Sequence, residues 1–339
     1  MRPALLLAVA TLPLAGCLFD DTPETLKISG KTMGTTYNIT VVDAPDGTTK
    51  DDLVDRVETV LADVNGKMSN WDPNSEVSLF NAALSTEAVT VSAPFAQVLS
   101  AANDIHQLSG GKFDVTLAPL IDLWGFGAKK PGDPIPSDAE IAQALQSVGQ
   151  STLLELDGTT LRKLQPEVSV NLSAIAKGYG VDQIAAALRA EGIDRYLVEI
   201  GGDLATGGLN AEDSPWSIGI ERPDTASRTV EEIVLISDKG LATSGDYRNY
   251  FEQDGVRYSH IIDPTTGKPV IHQTASITVI ADTAMMADAW ATALLVVGSE
   301  TAFDIAEQAG VAVLAIDRNN DQFVTRTSPA FDALVGTKD

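Results

Sequence analysis

The chain has 339 residues, with 23 Lys and Arg against 47 Asp and Glu, a formal net charge of −24 at pH 7. Such an acidic surface repels nucleic acid and anionic headgroups, so any anionic ligand must be met by local positive groups or by a metal ion. A single cysteine, Cys17, allows no internal disulfide, and the fold must rest on its core.

Met1-Arg2 opens with one positive charge, and an apolar run follows from Ala4 to Leu14. That run is too short to cross a bilayer, which takes about 20 residues. It reads as an export signal, and Leu14-Ala15-Gly16-Cys17 fits a lipobox. The expectation is a signal peptide over 1–16, an acylated Cys17 with a spacer over 17–27, and one large domain over 28–339. An ordinary signal with an incidental cysteine is the alternative.

Thr36 to Val42 is strand-like, and Asp51 to Met68 has the period of an amphipathic helix. Pro94 opens a helix that stops at Gly110-Gly111. Ser137 to Val148 reads as helix, with short strands following through Val170, and Ala174 to Ala190 as helix again. Strands are expected at Arg195–Ile200, Trp216–Ile220, Glu232–Ile236, Tyr258–Ile262, Ala275–Ile280 and Val311–Ile316, and helices at Ala284–Val297 and Thr301–Ala309. Clustered strands without regular βαβ alternation indicate an α+β fold.

Three segments carry candidate chemistry. Ala284 to Val297 is apolar nearly all round, which implies burial. Asp288 is its only charge and Thr292 its only hydroxyl, and their i, i+4 spacing stacks both oxygens on one face. Such oxygens suit a hard cation such as Mg2+; an ion pair with a distant Lys or Arg would also satisfy the carboxylate. In Val170 to Asp182, Asn171 or Ser173 can cap a helix whose free N–H groups, with Lys177 one turn in, would hold an anion. A plain helix start with a solvated lysine is the alternative. Only three histidines occur, which argues against zinc. Of these, His260 stands where a strand meets a Pro/Gly-rich turn, as a general base or as a hydrogen-bonded strand residue. The loop segments Met33 to Tyr37, Met68 to Trp71, Gly111 to Thr116 and Trp124 to Gly127 combine an aromatic or Met with Gly or a carboxylate, as a flat heteroaromatic pocket requires.

Together, Met33-Gly-Thr-Thr-Tyr37, Lys112-Phe-Asp-Val-Thr116, Leu123-Trp-Gly-Phe-Gly127, Ala174-Ile-Ala-Lys-Gly-Tyr179, Gly201-Gly-Asp203, Thr243-Ser-Gly-Asp-Tyr-Arg-Asn-Tyr250, His260-Ile-Ile-Asp-Pro264 and Ala287-Asp-Ala-Trp-Ala-Thr292 resemble the blocks of the ApbE family of FAD:protein FMN transferases. The resemblance runs from about Gly30 to Val335. It implies an ApbE-like (T-fold-like) arrangement of mixed sheets with flanking helices in a single catalytic domain. It also implies Mg2+ held by Asp288, Thr292 and the Ala174 carbonyl, and FAD, as substrate, touching Met33, Trp71, Lys112, Phe113, Asp114, Asn171, Lys177, His260 and Ile261. Asn171 departs from the family, which often has an acidic residue there.

The activity implied is transfer of FMN from FAD to a Thr or Ser hydroxyl of an exported protein domain, with AMP released, Lys177 assisting and His260 as base. Acceptors would be subunits of Na+-translocating NADH:quinone reductase or Rnf-type complexes. The enzyme would sit on the periplasmic side, anchored to the inner membrane through Cys17. The rival activities are FAD pyrophosphatase, with water in place of the acceptor, and flavin binding without catalysis.

Overall fold

The computed structural model describes residues 23–126, 134–224, 229–320 and 322–335. The expected signal peptide, Cys17 and Gly127 lie outside them. Eight strands build the main sheet: β1 (Thr25–Thr32), β2 (Thr35–Val42), β3 (Arg195–Ile200), β4 (Asp203–Gly207), β5 (Gly240–Gly245), β6 (Thr274–Ala281), β7 (Ala312–Asn319) and β8 (Gln322–Thr327). Their order across the sheet is their order in the chain, and each neighbouring pair is antiparallel. Thr25, Leu26 and Lys27 belong to β1, so the ordered fold takes in the last three residues of the expected spacer.

Both faces of this sheet are covered. Five helices matter for the site: α1 (Lys50–Met68), α2 (Ala93–Leu108), α3 (Ala176–Ala190), α4 (Ala284–Val297) and α5 (Ser299–Ala309). Helices α1, α3 and α4 pack on one face. The other face is covered by a hairpin of Trp216–Glu221 and Val230–Ile236 and by the short helix Pro329–Val335, through Phe331. Neighbouring residues of a strand therefore enter opposite cores: Val279 meets the helices, and Ile280 packs with Trp216 and Leu314. This two-sided cover is why seven of the eight residues of β6 are buried.

Helix α1 forms because Thr49 and Asp52 make a reciprocal capping box, and Leu53, Val57, Leu61, Val64 and Met68 recur on one buried stripe. Each such side chain contributes about 2 kcal/mol on burial. Helix α4 spans the expected residues, with Thr283 as its cap and Gly298 (φ 76°) beyond its end. Its first turn lies between two glycines. A Cβ on Gly178 of α3 would stand 2.3 Å from the Ala284 carbonyl oxygen, and one on Gly240 of β5 would stand 2.3 Å from the Ala284 nitrogen. The segment between α1 and α3 carries α2, several short helices and a small three-stranded sheet.

Three local expectations are corrected. Val170 is not in a strand: its backbone groups pair with asparagine side chains. Helix α3 begins at Ala176, not Ala174, and has no side-chain cap, because Asn171 Oδ1 closes a turn onto Ser173 instead. Tyr258–Ile262 is broken: strands cover Val256–Ser259 and Ile262–Asp263, and His260 lies in the gap. Among the described residues no helix is long and apolar enough to cross a membrane.

Candidate active site

A cavity of about 900 Å³ opens where loops of the segment between α1 and α3 meet the turn between β3 and β4 and the end of β5. That size is within the range of pockets that enclose cofactor-sized ligands. Met33, Trp71, Lys112, Phe113, Asp114, Asn171, Ala174, Lys177, His260, Ile261, Asp288 and Thr292 all line it. Met33 and Asp288, distant in the chain, reach one wall because α3 crosses α4: Met33 lies against Gly180 of α3, and Gly178 of the same helix is bonded to Asp288 of α4.

At the inner end, Asp288 accepts a hydrogen bond at 3.0 Å from the backbone N–H of Gly178. Gly178 sits in the first turn of α3, so its N–H has no partner within the helix. The donor is thus given to Asp288 Oδ2 and not to the carbonyl of Ala174, four residues back. Lys177 Nζ forms an ion pair with Asp203, the first residue of β4, and stands 3.7 Å from Asp288 Oδ1. Burial alone would lower the Lys177 pKa, but Asp203 and then Asp288 outweigh it, and the ammonium is held above its ordinary value. Asp203 is pushed up to about 7, by burial first and by the charge of Asp288 second. Two carboxylates thus share one ammonium. Thr292, one turn along α4, exchanges a hydrogen bond of 3.0 Å with Ser244 of β5.

The remaining expected residues divide by what they touch. Lys112 Nζ donates to both oxygens of Asp263, at 2.9 and 3.0 Å, and to Thr265 at 3.0 Å. Asp114 accepts from the N–H and hydroxyl of Thr116 and from the N–H of Gln150, so its carboxylate shapes the loop that carries Phe113. Phe113 is buried, and its carbonyl is bound to His106 Nδ1 at 2.7 Å. Met33 has a positive φ of 48°, and its methyl group lies over Gly180. Trp71, at the mouth, is 76% exposed, a flat apolar surface with one face open to a ligand.

His260 Nδ1 lies 3.0 Å from the Asn249 carbonyl oxygen, which also accepts the His260 backbone N–H at 3.1 Å. A carbonyl can only accept, so Nδ1 carries the proton and Nε2 keeps its lone pair. Burial holds the pKa below the usual histidine value, and the ring is neutral near pH 7. An edge contact with Phe126, centroids 6.3 Å apart, fixes one side of the ring. The other two histidines are likewise bound to backbone carbonyls, His106 to Phe113 and His272 to Leu295.

Sequence reasoning missed several residues that shape the site. Asp203 lies in the Gly201-Gly202-Asp203 block without a role assigned to it, and Ser244 lies in the block opened by Thr243. Asn70 lies in the Met68 to Trp71 segment without a role of its own and Asn81 in no segment considered, although both line the cavity and bond to Val170. Arg248, paired with Glu221, adds a third cation to the lining beside Lys112 and Lys177.

Residues 33–315 match the model of the ApbE family. The FAD:protein FMN transferase of Vibrio cholerae is 43% identical over 331 residues, covering 98% of each chain. That of Haemophilus influenzae is 42% identical over 343 residues, again 98% of each. Among solved structures, the flavin transferase ApbE from Vibrio cholerae aligns with a TM-score of 0.85 at 42% identity, over 92% of this chain and 99% of its own. The apo form of the flavinyl transferase ApbE from Pseudomonas stutzeri aligns with a TM-score of 0.85 at 38% identity, over 94% and 98%.

Proposed function

This chain belongs to the ApbE family and is a transferase, and on that premise we propose that it moves FMN from FAD to a Thr or Ser hydroxyl of an exported protein domain, in a Mg2+-dependent reaction that releases AMP. The observation that carries this reading is the Lys177 ammonium shared by Asp203 and Asp288, with Thr292 one turn away, in the same cavity as His260.

The donor set fits the metal. Asp288, Thr292 and the Ala174 carbonyl offer three hard oxygens, and one ammonium between two carboxylates leaves negative charge for a cation to neutralise. When bound there, Mg2+ supplies charge neutralisation at the FAD pyrophosphate. Lys177 holds the phosphates by charge, with the positive end of the α3 dipole behind it. Met33, Trp71, Lys112, Phe113, Asp114, Asn171 and Ile261 line the rest of the FAD site. His260 Nε2 takes the proton from the acceptor hydroxyl, whose oxygen attacks the FMN-side phosphorus in line. A phosphoester bond forms, the P–O–P bridge breaks, and the bridging oxygen leaves with AMP.

The test is mass spectrometry of an exported acceptor domain incubated with FAD and Mg2+. An FMN adduct on Thr or Ser that disappears with EDTA and in Asp288→Ala is expected. No adduct in the wild-type reaction would overturn the reading, and rapid AMP release without acceptor would assign the site to FAD hydrolysis.

The same reading extends to place and partner. The lipobox supports a lipoprotein anchored through Cys17, on the periplasmic side of the inner membrane, acting on subunits of Na+-translocating NADH:quinone reductase or Rnf-type complexes. Confinement to one surface raises the effective concentration of enzyme and acceptor. A Cys17→Ser protein should therefore modify an isolated acceptor domain normally but the intact complex more slowly in cells. Equal cellular modification would remove the anchor from the mechanism.

A further inference from the structure

The segment leading into α3 has an unusual support. Val168, Val170 and Leu172 are fully buried, yet the segment joins no sheet. Buried backbone groups must find partners, and outside a ladder these come from other loops or from side chains. Asn81 provides two of them: its Oδ1 accepts from the Val170 N–H at 2.7 Å, and its Nδ2 donates to the Val170 carbonyl at 2.8 Å. One side chain thus does what a neighbouring strand would do. Asn70 bridges the next step, donating to the same Val170 carbonyl at 2.7 Å and accepting from the Leu172 N–H at 3.0 Å. Between them, the Asn171 N–H is bonded to the Val115 carbonyl at 2.7 Å.

Asn81 is itself held from behind. Lys163, which is fully buried, donates through Nζ to the carbonyls of Asn81 at 3.1 Å, Ala83 at 2.9 Å and Pro166 at 3.4 Å. Its ammonium also lies 4.9 Å from the centre of the Phe80 ring. The chain of support runs from Lys163 to Asn81, from Asn81 to Val170, and on to Asn171, Ala174 and the first turn of α3.

We propose that Asn70 and Asn81 are positioning residues that set the Ala174 carbonyl and the α3 N-terminus at the distance from Asp288 and Thr292 that binding of Mg2+ and FAD requires. The proposal rests on the reading of the site given above. It goes beyond it by assigning the coordination geometry to two amides that neither carry charge nor take part in the chemistry. A loop that ends in a backbone ligand needs such a brace, because outside a sheet or helix packing of Val170, Leu172 and Ile175 holds their side chains but does not by itself orient the backbone carbonyls. Outer supports of this kind typically change metal affinity by about 10- to 100-fold when removed.

The experiment is a Mg2+ titration of FAD binding, followed by flavin fluorescence, on the full chain and on three variants. Asn70→Ala leaves the Val170 carbonyl bonded to Asn81 and is the mildest. Asn81→Asp keeps the acceptor but removes the donor, and Lys163→Met frees the Asn81 carbonyl together with those of Ala83 and Pro166. All three are checked for native circular dichroism. The expected result is a Mg2+ half-saturation raised about tenfold or more, with KM for FAD rising more than kcat falls. If folded variants keep the wild-type half-saturation, even with a lower Tm, the amides only stabilise the fold and the proposal is overturned. If wild-type FAD binding itself ignores Mg2+, the underlying reading fails, and that outcome is visible before any variant is compared.

Discussion

Gly178 gives its backbone N–H to Asp288 across the crossing of α3 and α4, and the contact exists only because residue 178 has no side chain. Alanine would ordinarily help a helix by up to about 1 kcal/mol. Here its Cβ would stand 2.3 Å from the Ala284 carbonyl oxygen, which is backbone and cannot swing aside. Overpacking of that kind costs about 1–3 kcal/mol and would push Asp288 away from α3. Gly178→Ala should therefore lower Tm and transfer activity together. Gly66 in α1 is the control: a Cβ there meets nothing within 4 Å, and Gly66→Ala should raise stability by about 0.5–1 kcal/mol with activity intact. Equal effects of the two variants in thermal melts would contradict the crossing argument.

The entry to α4 is held by a second residue of α3. Asp182 accepts from the N–H groups of Ala284 at 2.8 Å and Met285 at 2.9 Å. Burial nevertheless raises its pKa to about 6, with those two bonds pulling it part of the way down. A folded pKa above the unfolded value means that the folded state binds the proton more tightly. The stability from this group is complete below about pH 4 and is lost as pH rises through about 6, a span of about 3 kcal/mol. Denaturant unfolding of wild type and Asp182→Asn between pH 4 and 7 should show the difference between their curves changing by that order. Parallel curves would mean that Asp182 does not titrate in this window.

Much of this was legible in the sequence, and the parts that were not share a cause. α1 declared itself by its period and α4 by an unbroken apolar run, both local properties. β4 and β5 went unseen because they are short and, apart from Asp203, Leu204 and Leu241, built of Gly, Ala, Ser and Thr, and they are strands only through their neighbours. Val168, Val170 and Leu172 alternate with polar residues as a strand would, and the segment is buried in that way; what the alternation cannot disclose is that its partners are the amides of Asn70 and Asn81. The same limit applied to Asp288. Its isolation in an apolar helix announced a partner, but the shared Lys177 and the second carboxylate, Asp203, are set by tertiary structure.

That three-residue cluster makes its own prediction. Lys177→Met would leave Asp203 and Asp288 facing each other in a buried site. Removing one partner of a buried ion pair costs about 3–5 kcal/mol. The single variant should be strongly destabilised and inactive. Adding Asp203→Asn removes the orphaned charge and should recover most of the stability, but not the activity, because the phosphate-facing cation is still missing. Recovery of both in the double variant would show Lys177 to be structural only.

His260 can be tested through its protonation state. As a base it works in the neutral form, and its pKa is lowered by burial, so the rate should stay flat from alkaline pH down past the usual histidine midpoint of about 6.5 and fall only below it. His260→Ala should reduce single-turnover transfer by about 10²- to 10⁴-fold and remove that acidic limb. FAD binding should change far less, because the ring is held by Asn249 and Phe126 at the edge of the cavity and not at the Lys177 cluster. A variant that keeps the acidic limb would transfer the role of base to another group. One that loses FAD binding in proportion to rate would make His260 a binding residue, and proton removal would then fall to solvent or to the acceptor domain itself.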